Sequence, residues 1–283
     1  MAESSIQQQI DWARQALAAT SPSAVLDAEV LLAHCLQKNR SFLRAWPELL
    51  LNDAQLHQFR QLITLRITGM PVAYLTGQRE FWSRTFNINA NVLIPRPDSE
   101  LLIELSLKHL PADASVQILD LGVGSGILAV TLALERPLAH VLATDISLTA
   151  LDIAKQNAIT LNANNISFLA SNWFEAVPAQ KFDLIISNPP YIAADDPHLQ
   201  QGDVRFEPDN ALISGKQGLF DIEIIVSQAK QYLKPNAYLL IEHGYNQATA
   251  VQAIFTANGY SDIDTHPDLS GQLRVTSGAW TTS

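Results

Sequence analysis

Residues 116–126 read Val-Gln-Ile-Leu-Asp-Leu-Gly-Val-Gly-Ser-Gly, an apolar run that ends in a glycine-rich turn. The run is typical of a buried strand, and a helical pattern begins directly after the turn, at Ile127. Glycines at such a turn let the backbone approach a ligand closely and aim its N–H groups at that ligand. The spacing of Gly122, Gly124 and Gly126 differs from the GxGxxG of dinucleotide folds, so it favours a nucleoside over a pyrophosphate. A turn with a purely structural role is the alternative interpretation.

Strand and helix patterns alternate along the chain on both sides of this turn. The βαβ rhythm predicts an α/β fold with a doubly wound, seven-stranded, Rossmann-like sheet. The predicted strands cover residues 116–121, 141–145, 166–170, 182–187, 237–242, 262–266 and 273–279. The predicted helices of this region cover residues 98–109, 127–136, 148–161, 219–233 and 246–257.

Polar and aromatic side chains follow the next two predicted strands. Asp145 ends the second strand, 19 residues after Gly126, where an acid can accept both hydroxyls of a ribose. Asn172 and Trp173 follow the third strand, and an amide and an indole suit the edge and the face of an adenine. Packing in the core is the alternative role for Trp173. Because the carboxyl ends of parallel strands meet in one crevice, these side chains together predict an adenosine-containing cofactor.

A stiff corner, Asn188-Pro-Pro-Tyr191, follows the fourth predicted strand. Neither proline can continue a strand ladder, since each lacks an N–H and fixes φ near about −65°. The corner offers the Asn188 carboxamide, the carbonyl of Pro189 and the ring of Tyr191. Two oxygen acceptors beside a flat ring suit an –NH2 group on a planar π system. Together with the cofactor elements they predict S-adenosylmethionine beside an amine-type acceptor, with packing of the corner as the alternative role of Tyr191.

The first eighty residues differ from the rest in carrying helical patterns without strands. Apolar side chains recur at helical spacing from Ser5 to Ala19, from about Ser23 onward and over 53–68, with Asp53 as the expected N-cap of the third helix. The residues that follow alternate in the manner of a β-hairpin. We therefore expect a helical domain over 1–78, a hairpin linker over 79–95 and the α/β domain over 96–283. The exposed surface of the helical domain is free to touch a partner, and we expect it to serve in substrate recognition.

Acidic residues exceed basic ones, and the excess lies after residue 80. The chain has 28 Asp and Glu against 18 Lys and Arg, whereas residues 1–80 have seven of each. An acidic main domain repels phosphate backbones, so we expect no direct binding of nucleic acid. The lone Cys35 fits a cytoplasmic setting, and neither a signal-peptide pattern nor a long apolar run indicates export or a membrane span. His198 and His243 lack further ligands at metal-binding spacing, so we predict no metal site.

A long segment over 192–218, punctuated by proline and glycine, is expected to form a lid that faces the substrate. Arg205 and Glu207 are candidates for ordering it. Phe81 and Trp82 of the hairpin are candidates for walling the same cavity, with core packing as the alternative.

Short segments spread along the chain carry a family resemblance. They are Pro71–Gly77, Val92–Pro97, Asp120–Gly126, Asn188–Tyr191, Gln201–Pro208 and Ile241–Gly244. With these segments the chain resembles, over nearly all of its 283 residues, the protein-(glutamine-N5) methyltransferases that act on peptide chain release factors. The Asn-Pro-Pro-Tyr corner alone is shared with other amine methyltransferases, whereas its combination with the flanking segments is far more specific. Val123 stands where the family usually has Thr, and Asp98-Ser99-Glu100 replaces the commoner Glu-Thr-Glu.

The resemblance implies that residues 96–283 form a methyltransferase domain dependent on S-adenosylmethionine. It would methylate the side-chain amide nitrogen of the glutamine in a Gly-Gly-Gln loop of class I release factors. Separately from the resemblance, we expect a cytoplasmic monomer. Asn188, Pro189 and Tyr191 would carry the catalytic role and, together with Pro190, hold the substrate glutamine. The implied cofactor contacts are Gly122, Val123, Gly124, Ser125, Gly126, Asp145, Trp173 and Asn188.

Two other functions remain open from the residues alone. An adenine-N6 nucleic-acid methyltransferase would use the same corner, because adenine also presents an –NH2 on a flat conjugated group. A non-catalytic cofactor-binding scaffold would act through the helical domain and would not need the acceptors of the corner that bind an –NH2 group. For glutamine, we expect Asn188 Oδ1 and the Pro189 carbonyl each to accept one amide N–H. No general base is required, since a methylated amide cation is strongly acidic.

Overall fold

The computed structural model describes residues 4–281, and these residues form two compact units. The first unit is the described part of Met1–Gln78 together with Gln200–Phe206. The second unit is Arg79–Leu199 together with the described part of Glu207–Ser283. The short segment Gln200–Phe206 therefore interrupts the second unit in sequence and belongs to the first. Within residues 4–281, no helix is both long enough and apolar enough to cross a membrane.

The first unit is built from helices whose apolar stripes form one buried cluster. They are α1 (Ile6–Leu17), α2 (Ala24–Leu36), α3 (Arg40–Ala45), α4 (Asp53–Ile67) and α5 (Val72–Thr76). The Ser5 hydroxyl accepts the N–H of Gln8, and the Gln8 side chain accepts the Ser5 N–H, which is the capping box that starts α1. Asn52 and Gln55 repeat this arrangement at α4, so the N-cap is Asn52 and the predicted cap, Asp53, is the first helical residue.

A buried ion pair ties the helices of the first unit together. Arg66 Nε lies 2.7 Å from Asp27 Oδ2, and two serine hydroxyls donate to the same carboxylate. Arg66 Nη1 also donates to the carbonyl of Gly69 and lies 3.4 Å from Asp203 Oδ1. The same guanidinium thereby anchors the segment Gln200–Phe206 within this unit.

The second unit is organised around a mixed sheet that contains seven strands among the described residues. They are β1 (Gln117–Leu121), β2 (His140–Asp145), β3 (Ile166–Ala170), β4 (Phe182–Ser187), β5 (Leu233–Glu242), β6 (Ser261–Pro267) and β7 (Leu273–Trp280). Their order across the sheet is β3-β2-β1-β4-β5-β7-β6. Strands β1 to β5 pair in parallel, and β7 runs antiparallel to both β5 and β6. The predicted doubly wound, seven-stranded fold is confirmed.

Helices cover both faces of the sheet. Ile118 of β1 belongs to one apolar cluster and Leu119 to the other, because successive side chains of a strand point to opposite faces. The first cluster includes side chains of α6 (Glu100–His109), α7 (Ile127–Glu135) and α8 (Leu148–Leu161). The second includes side chains of α9 (Phe220–Ala229) and α10 (Ala248–Ala257). Since β1 lies between β2 and β4, the strand order reverses at the carboxyl ends of β1 and β4.

A hairpin of two short strands, Gln78–Phe81 and Arg84–Asn87, precedes the sheet. Trp82 and Ser83 join the strands with φ angles of 51° and 57°, as the type I′ turn of a two-residue hairpin requires. The two strands are therefore joined by a two-residue loop. Residues 91–95, which we placed in the hairpin linker, are described and lie outside its strands.

Candidate active site

A cavity of about 320 Å³ lies at the carboxyl ends of β1 to β4, where open α/β sheets bind their ligands. Its volume falls within the roughly 300–1,000 Å³ that is usual for ligand pockets. Its walls are formed by the strand ends, by the segment after the hairpin and by Asn210, Ala211 and Ile213. The predicted site residues that line it are Gly122, Val123, Gly124, Ser125, Asp145, Asn172, Trp173, Asn188 and Pro190.

The N–H groups of the first three residues of the glycine loop after β1 are already bonded within the protein. The N–H groups of Gly122 and Val123 both donate to the Thr144 carbonyl, at 2.9 and 2.8 Å. The N–H of Gly124 donates to Asp145 Oδ2 at 2.9 Å. The expectation that loop N–H groups point at the ligand is therefore wrong for these three residues. A Cβ added at Gly124 would meet no atom within 4 Å, so this residue leaves open space for a ligand.

Gly126 has a packing role and does not line the cavity. It caps α7 with a φ of 88°. A Cβ added there would lie 3.1 Å from both Cα and Cβ of Ala154 in α8. The absence of a side chain thus lets the loop and α8 approach closely, and Gly126 supports the cavity from behind its wall.

The carboxylate that ends β2 already holds two backbone N–H groups. Asp145 Oδ2 accepts from Gly124, and Oδ1 accepts from Ser147 at 2.8 Å. A carboxylate offers about four lone-pair positions, so Asp145 keeps acceptor capacity for a ligand hydroxyl. Burial raises the pKa of Asp145, and the hydrogen bonds from the backbone oppose that rise. The result is a rigid acceptor in the cavity wall.

The indole of Trp173 is held in place by polar contacts at both ends of the residue. The Ser171 hydroxyl donates to the Trp173 carbonyl at 2.9 Å, and the indole N–H donates to Asp221 Oδ1 at 3.1 Å. A Cβ added at Gly122 would lie 3.5 Å from the ring, so the glycine backbone and the indole pack closely against each other. The ring lines the cavity and also packs against the second apolar cluster. Trp173 therefore packs in the core and also presents part of its surface to the cavity, where its contact with an adenine stays a prediction.

The proline corner after β4 brings only part of its sequence to the cavity. Asn188 and Pro190 line it, whereas Pro189 is buried and Tyr191 packs against the second apolar cluster. Asn188 Nδ2 donates to Ser99 Oγ at 3.1 Å. No described residue donates a hydrogen bond to Asn188 Oδ1 or to the Pro189 carbonyl. Burial raises the pKa of Tyr191 above its usual range, so its phenol stays protonated and is not a base.

Two buried side chains beside Asn188 were not among the predicted site residues. Ser99 is fully buried, and Glu242, which is 1% exposed, ends β5. In the parallel ladder Ser187 pairs with Ile241, so Asn188 and Glu242 come next on neighbouring strands. Burial raises the pKa of Glu242 to about 7, while hydrogen bonds from Ser99 and Asn188 oppose the rise.

A second buried carboxyl lies in β1, behind the glycine loop. Asp120 is fully buried, its Oδ2 accepts the N–H of Ala129 at 3.2 Å, and its Oδ1 has no partner among the described residues. Burial raises the pKa of Asp120 to about 7, and the charge of Asp145 adds to the rise. Since its bonded partner is in the first turn of α7, Asp120 helps to fix the start of that helix.

The long segment after the corner has an ordered base. The N–H of Ile192 donates to the Leu212 carbonyl, and the N–H of Ser214 donates back to the Ile192 carbonyl, both at 2.9 Å. Glu207 has a fully buried side chain, and Arg96 Nη2 lies 2.7 Å from both of its oxygens. Because Arg96 lines the cavity, this ion pair connects the segment to the cavity wall.

Three further candidates lie away from the cavity. Arg205 donates to the carbonyl of Thr68 within the first unit. Phe81 is buried in the first apolar cluster, and the indole N–H of Trp82 donates to Glu135 Oε1 at 3.0 Å. Neither hairpin aromatic is among the residues that line the cavity. Phe81 packs in the core and Trp82 bonds to Glu135, so neither forms the cavity wall for which both were candidates.

The two histidines singled out in the sequence are both engaged elsewhere. His198 is exposed and lies 2.7 Å from Asp196. The ring of buried His243 donates from Nδ1 to the Gly244 carbonyl, so its Nε2 accepts from the Thr276 hydroxyl. Burial lowers the pKa of His243 and keeps the ring neutral. Across residues 4–281, no group of three or more His, Cys, Asp or Glu is placed to hold a metal ion.

Known proteins match this chain along nearly its whole length. A release factor glutamine methyltransferase of Shewanella oneidensis is 46% identical over 98% of this chain and 97% of its own. The protein of the same description in Escherichia coli is 44% identical over 95% of this chain and 98% of its own. Two family domains also match, the PrmC N-terminal domain over residues 8–77 and the methyltransferase small domain over residues 99–203.

A solved structure agrees with the architecture. A methyltransferase of Pyrococcus furiosus superposes with a TM-score of 0.55 at 15% identity, over 79% of this chain and 98% of that one. At that identity the likeness supports the fold alone. The sequence relatives reach further, because their identity is high over nearly the entire chain. This chain belongs to the family of release factor glutamine methyltransferases.

Proposed function

We propose that this chain transfers a methyl group from S-adenosylmethionine to the side-chain amide nitrogen of the glutamine in the Gly-Gly-Gln loop of class I peptide chain release factors. The observation that carries this proposal is the pair of acceptors at the corner. Asn188 Oδ1 and the Pro189 carbonyl receive no hydrogen bond from the described residues, and Asn188 lines the cavity. Two neighbouring oxygen acceptors match the two N–H groups of a primary amide. The names of the relatives support a release-factor glutamine as that amide.

The cavity suits an adenosine-containing cofactor. Asp145 keeps lone pairs for the ribose hydroxyls, Trp173 offers a ring face to the adenine, and the bare backbone at Gly124 admits close approach. Bound there, S-adenosylmethionine supplies a methyl group on a positively charged sulfonium. Further contacts are assigned to the remaining residues of the loop that line the cavity and to the corner: Gly122, Val123, Ser125 and Asn188.

The contribution of the chain to the reaction is to hold the substrate amide. An amide nitrogen is a poor nucleophile, because its lone pair is delocalised into the carbonyl. Acceptors on both N–H groups, Asn188 Oδ1 and the Pro189 carbonyl, fix the direction of the nitrogen and stabilise the positive charge that develops there. The two prolines keep the corner stiff, and Tyr191 packs behind it. The methylated amide cation is strongly acidic, so its proton leaves to water without a general base.

Recognition of the release factor is assigned to the first unit. The matched N-terminal family domain falls within this unit. The unit also exposes three large apolar side chains close together in sequence, Trp46, Leu49 and Leu50. Exposed apolar groups that cluster on a surface are typical of protein-binding sites.

A methylation assay with labelled S-adenosylmethionine tests the proposal. The substrates are a release factor, the same factor with alanine in place of the loop glutamine, and duplex DNA. We expect label on the unaltered release factor alone, and the net charge of −10 agrees with exclusion of DNA. Label on DNA, as an adenine-N6 methyltransferase would give, or equal label on the altered factor would contradict the proposal. Cofactor binding without label on any substrate would indicate a non-catalytic scaffold.

A further inference from the structure

The carboxamide of Asn188 has two chemically different ends of nearly the same shape. Its function in the site requires the oxygen to face the substrate. The nitrogen donates to Ser99 Oγ at 3.1 Å, and Ser99 is fully buried. A hydroxyl can donate as well as accept, so Ser99 alone would pair equally well with the carboxamide turned over. A group that can only accept is needed to fix the orientation.

Glu242 lies where such an acceptor would act. The pairing of Ser187 with Ile241 sets it beside Asn188 on the neighbouring strand, and Ser99 and Asn188 both act to lower the pKa of its carboxyl group. An ionised carboxylate accepts from Asn188 Nδ2 and repels Asn188 Oδ1. Ser99 then accepts a hydrogen bond from Asn188 and donates one to Glu242. In this triangle of Asn188, Ser99 and Glu242, the carboxylate acts only as an acceptor, and Asn188 Nδ2 acts only as a donor.

In the part of the chain that the structure describes, the surroundings of Glu242 give it no oppositely charged partner in an ion pair. No ion pair among the described residues includes it, and its Oε2 is buried without a hydrogen bond. The charged and titratable groups that act on it are Arg274, Asp98 and Tyr191. Arg274 is already paired, at 3.2 Å with Asp98 and at 3.1 Å with Asp268. A buried carboxyl with an unpartnered oxygen costs stability, which favours a functional reason for its presence.

We propose that Glu242, acting with Ser99, is a positioning residue that fixes the Asn188 carboxamide with Nδ2 toward the core and Oδ1 toward the substrate. The orientation itself does not depend on the substrate, although its catalytic consequence rests on the proposed function. A protonated Glu242 carboxyl can also donate a hydrogen bond, so it can pair with Asn188 Oδ1 as well as with Nδ2. The carboxamide can then turn over. Because the pKa of Glu242 is about 7, the correctly oriented fraction of Asn188 rises with pH through that value.

Nuclear magnetic resonance of the full-length protein without substrate tests the orientation directly. The side-chain ¹⁵N amide signals of Asn188, assigned with Asn188→Ala, should titrate with a midpoint near pH 7. Glu242→Gln should abolish this titration. Asp120→Asn, which removes the other buried carboxyl with a raised pKa, should retain it. Asn188 signals that do not change with pH, or that titrate equally in Glu242→Gln, would overturn the inference.

Methylation kinetics test the consequence for catalysis. Glu242→Gln should lower kcat by about 10- to 100-fold, as expected when a group that holds the reacting amide is misplaced. In the Asn188→Ala background Glu242→Gln should cause no further loss, because the group that it positions is gone. Additive losses, or a wild-type kcat in Glu242→Gln, would contradict the inference. If the wild-type protein methylates no release factor while the amide signals still titrate, the proposed function fails and the positioning network stands.

Discussion

Asn188 divides its carboxamide between the protein and the cavity, with the nitrogen bonded to Ser99 and the oxygen left open. Asn188→Ala removes one of the two acceptors proposed for the substrate amide. We expect kcat to fall by about 10²–10³, the usual loss when one preorganised polar group is deleted. Single-turnover methylation of a release factor measures the effect, and the thermal unfolding midpoint serves as the control for folding. A folded variant with wild-type kcat would remove Asn188 from the proposed mechanism.

Glu242 links the site to the pH dependence of stability. Its pKa is about 7 in the folded protein and 4.5 for an unperturbed glutamate. Between these two pH values the folded protein holds a proton that the unfolded chain has released. Proton binding by Glu242 therefore contributes fully to the free energy of unfolding below pH 4.5, and this contribution is lost as pH rises through 7. We expect Glu242→Gln to gain free energy of unfolding, relative to wild type, on going from about pH 5 to about pH 8. Urea unfolding at both pH values measures this difference, and a relative loss at the higher pH would contradict it.

Local pattern predicted some site residues and could not predict others. Asp145 and Asn188 could be predicted from the sequence, because each follows or ends an apolar run that is typical of a buried strand. Ser99 and Glu242 were missed as partners of Asn188, although both fall in or beside segments that carry the family resemblance. Their meeting depends on the register of two strands far apart in sequence, and no local spacing encodes that register.

At the scale of elements, buried strands bounded by turns were the most predictable. Ile166–Ala170 and Phe182–Ser187 have the predicted bounds. Strand β5 begins at Leu233, four residues earlier than predicted, because the pattern of Pro235 and Asn236 is typical of a turn. The strand accommodates them with a φ of 63° at Asn236 and a shift of register against β4. Such irregular pairing is set by the neighbouring strand and is invisible in the segment itself.

The glycine loop contains two positions that separate packing from binding. Gly126→Ala forces a Cβ against α8 at a φ of 88°, so we expect a loss of about 2–4 kcal/mol from backbone strain and overpacking together. Gly124→Ala meets open space, so its loss should be limited to the strain, roughly 1–2 kcal/mol. Urea unfolding measures both variants.

The same two variants should rank in the opposite order for cofactor binding. The Cβ of Gly124→Ala enters space at the cavity wall, whereas Gly126 does not line the cavity. Isothermal titration with S-adenosylmethionine should therefore show the larger loss of affinity for Gly124→Ala. A larger loss for Gly126→Ala would place the cofactor elsewhere on the loop.

At the scale of the whole molecule, the chain is divided into units that are not continuous in sequence. The segment Gln200–Phe206 belongs to the helical unit, and no feature of the sequence predicted this. Arg66 holds the segment through Asp203 and is itself paired with buried Asp27. Contacts of this kind join residues more than a hundred positions apart, so neither periodicity nor turn chemistry reveals them.

Arg66→Ala should destabilise the first unit by about 3–5 kcal/mol, since it leaves Asp27 buried without its cation. Hydrogen exchange should rise in Gln200–Phe206 and in α2, while the central strands of the sheet keep their protection. Arg14→Ala is the matched control, because its ion pair with Asp11 is exposed and 3.8 Å long. We expect that control to change stability by less than about 1 kcal/mol. Equal effects of the two variants would show that the buried pair is not what holds the segment.

The insertion of Gln200–Phe206 into the helical unit has a consequence for synthesis on the ribosome. The helices of that unit emerge first, and the pairing of Arg66 with Asp27 is complete in sequence by then. Gln200 is translated 122 residues after Gln78, which at about 5–20 residues per second takes roughly 6–24 s. During that interval the nascent helical unit lacks this segment, so the Thr68 carbonyl and the Arg66 guanidinium lack the partners that Arg205 and Asp203 later provide. Its final stability is therefore acquired only when most of the parallel strands have also been made.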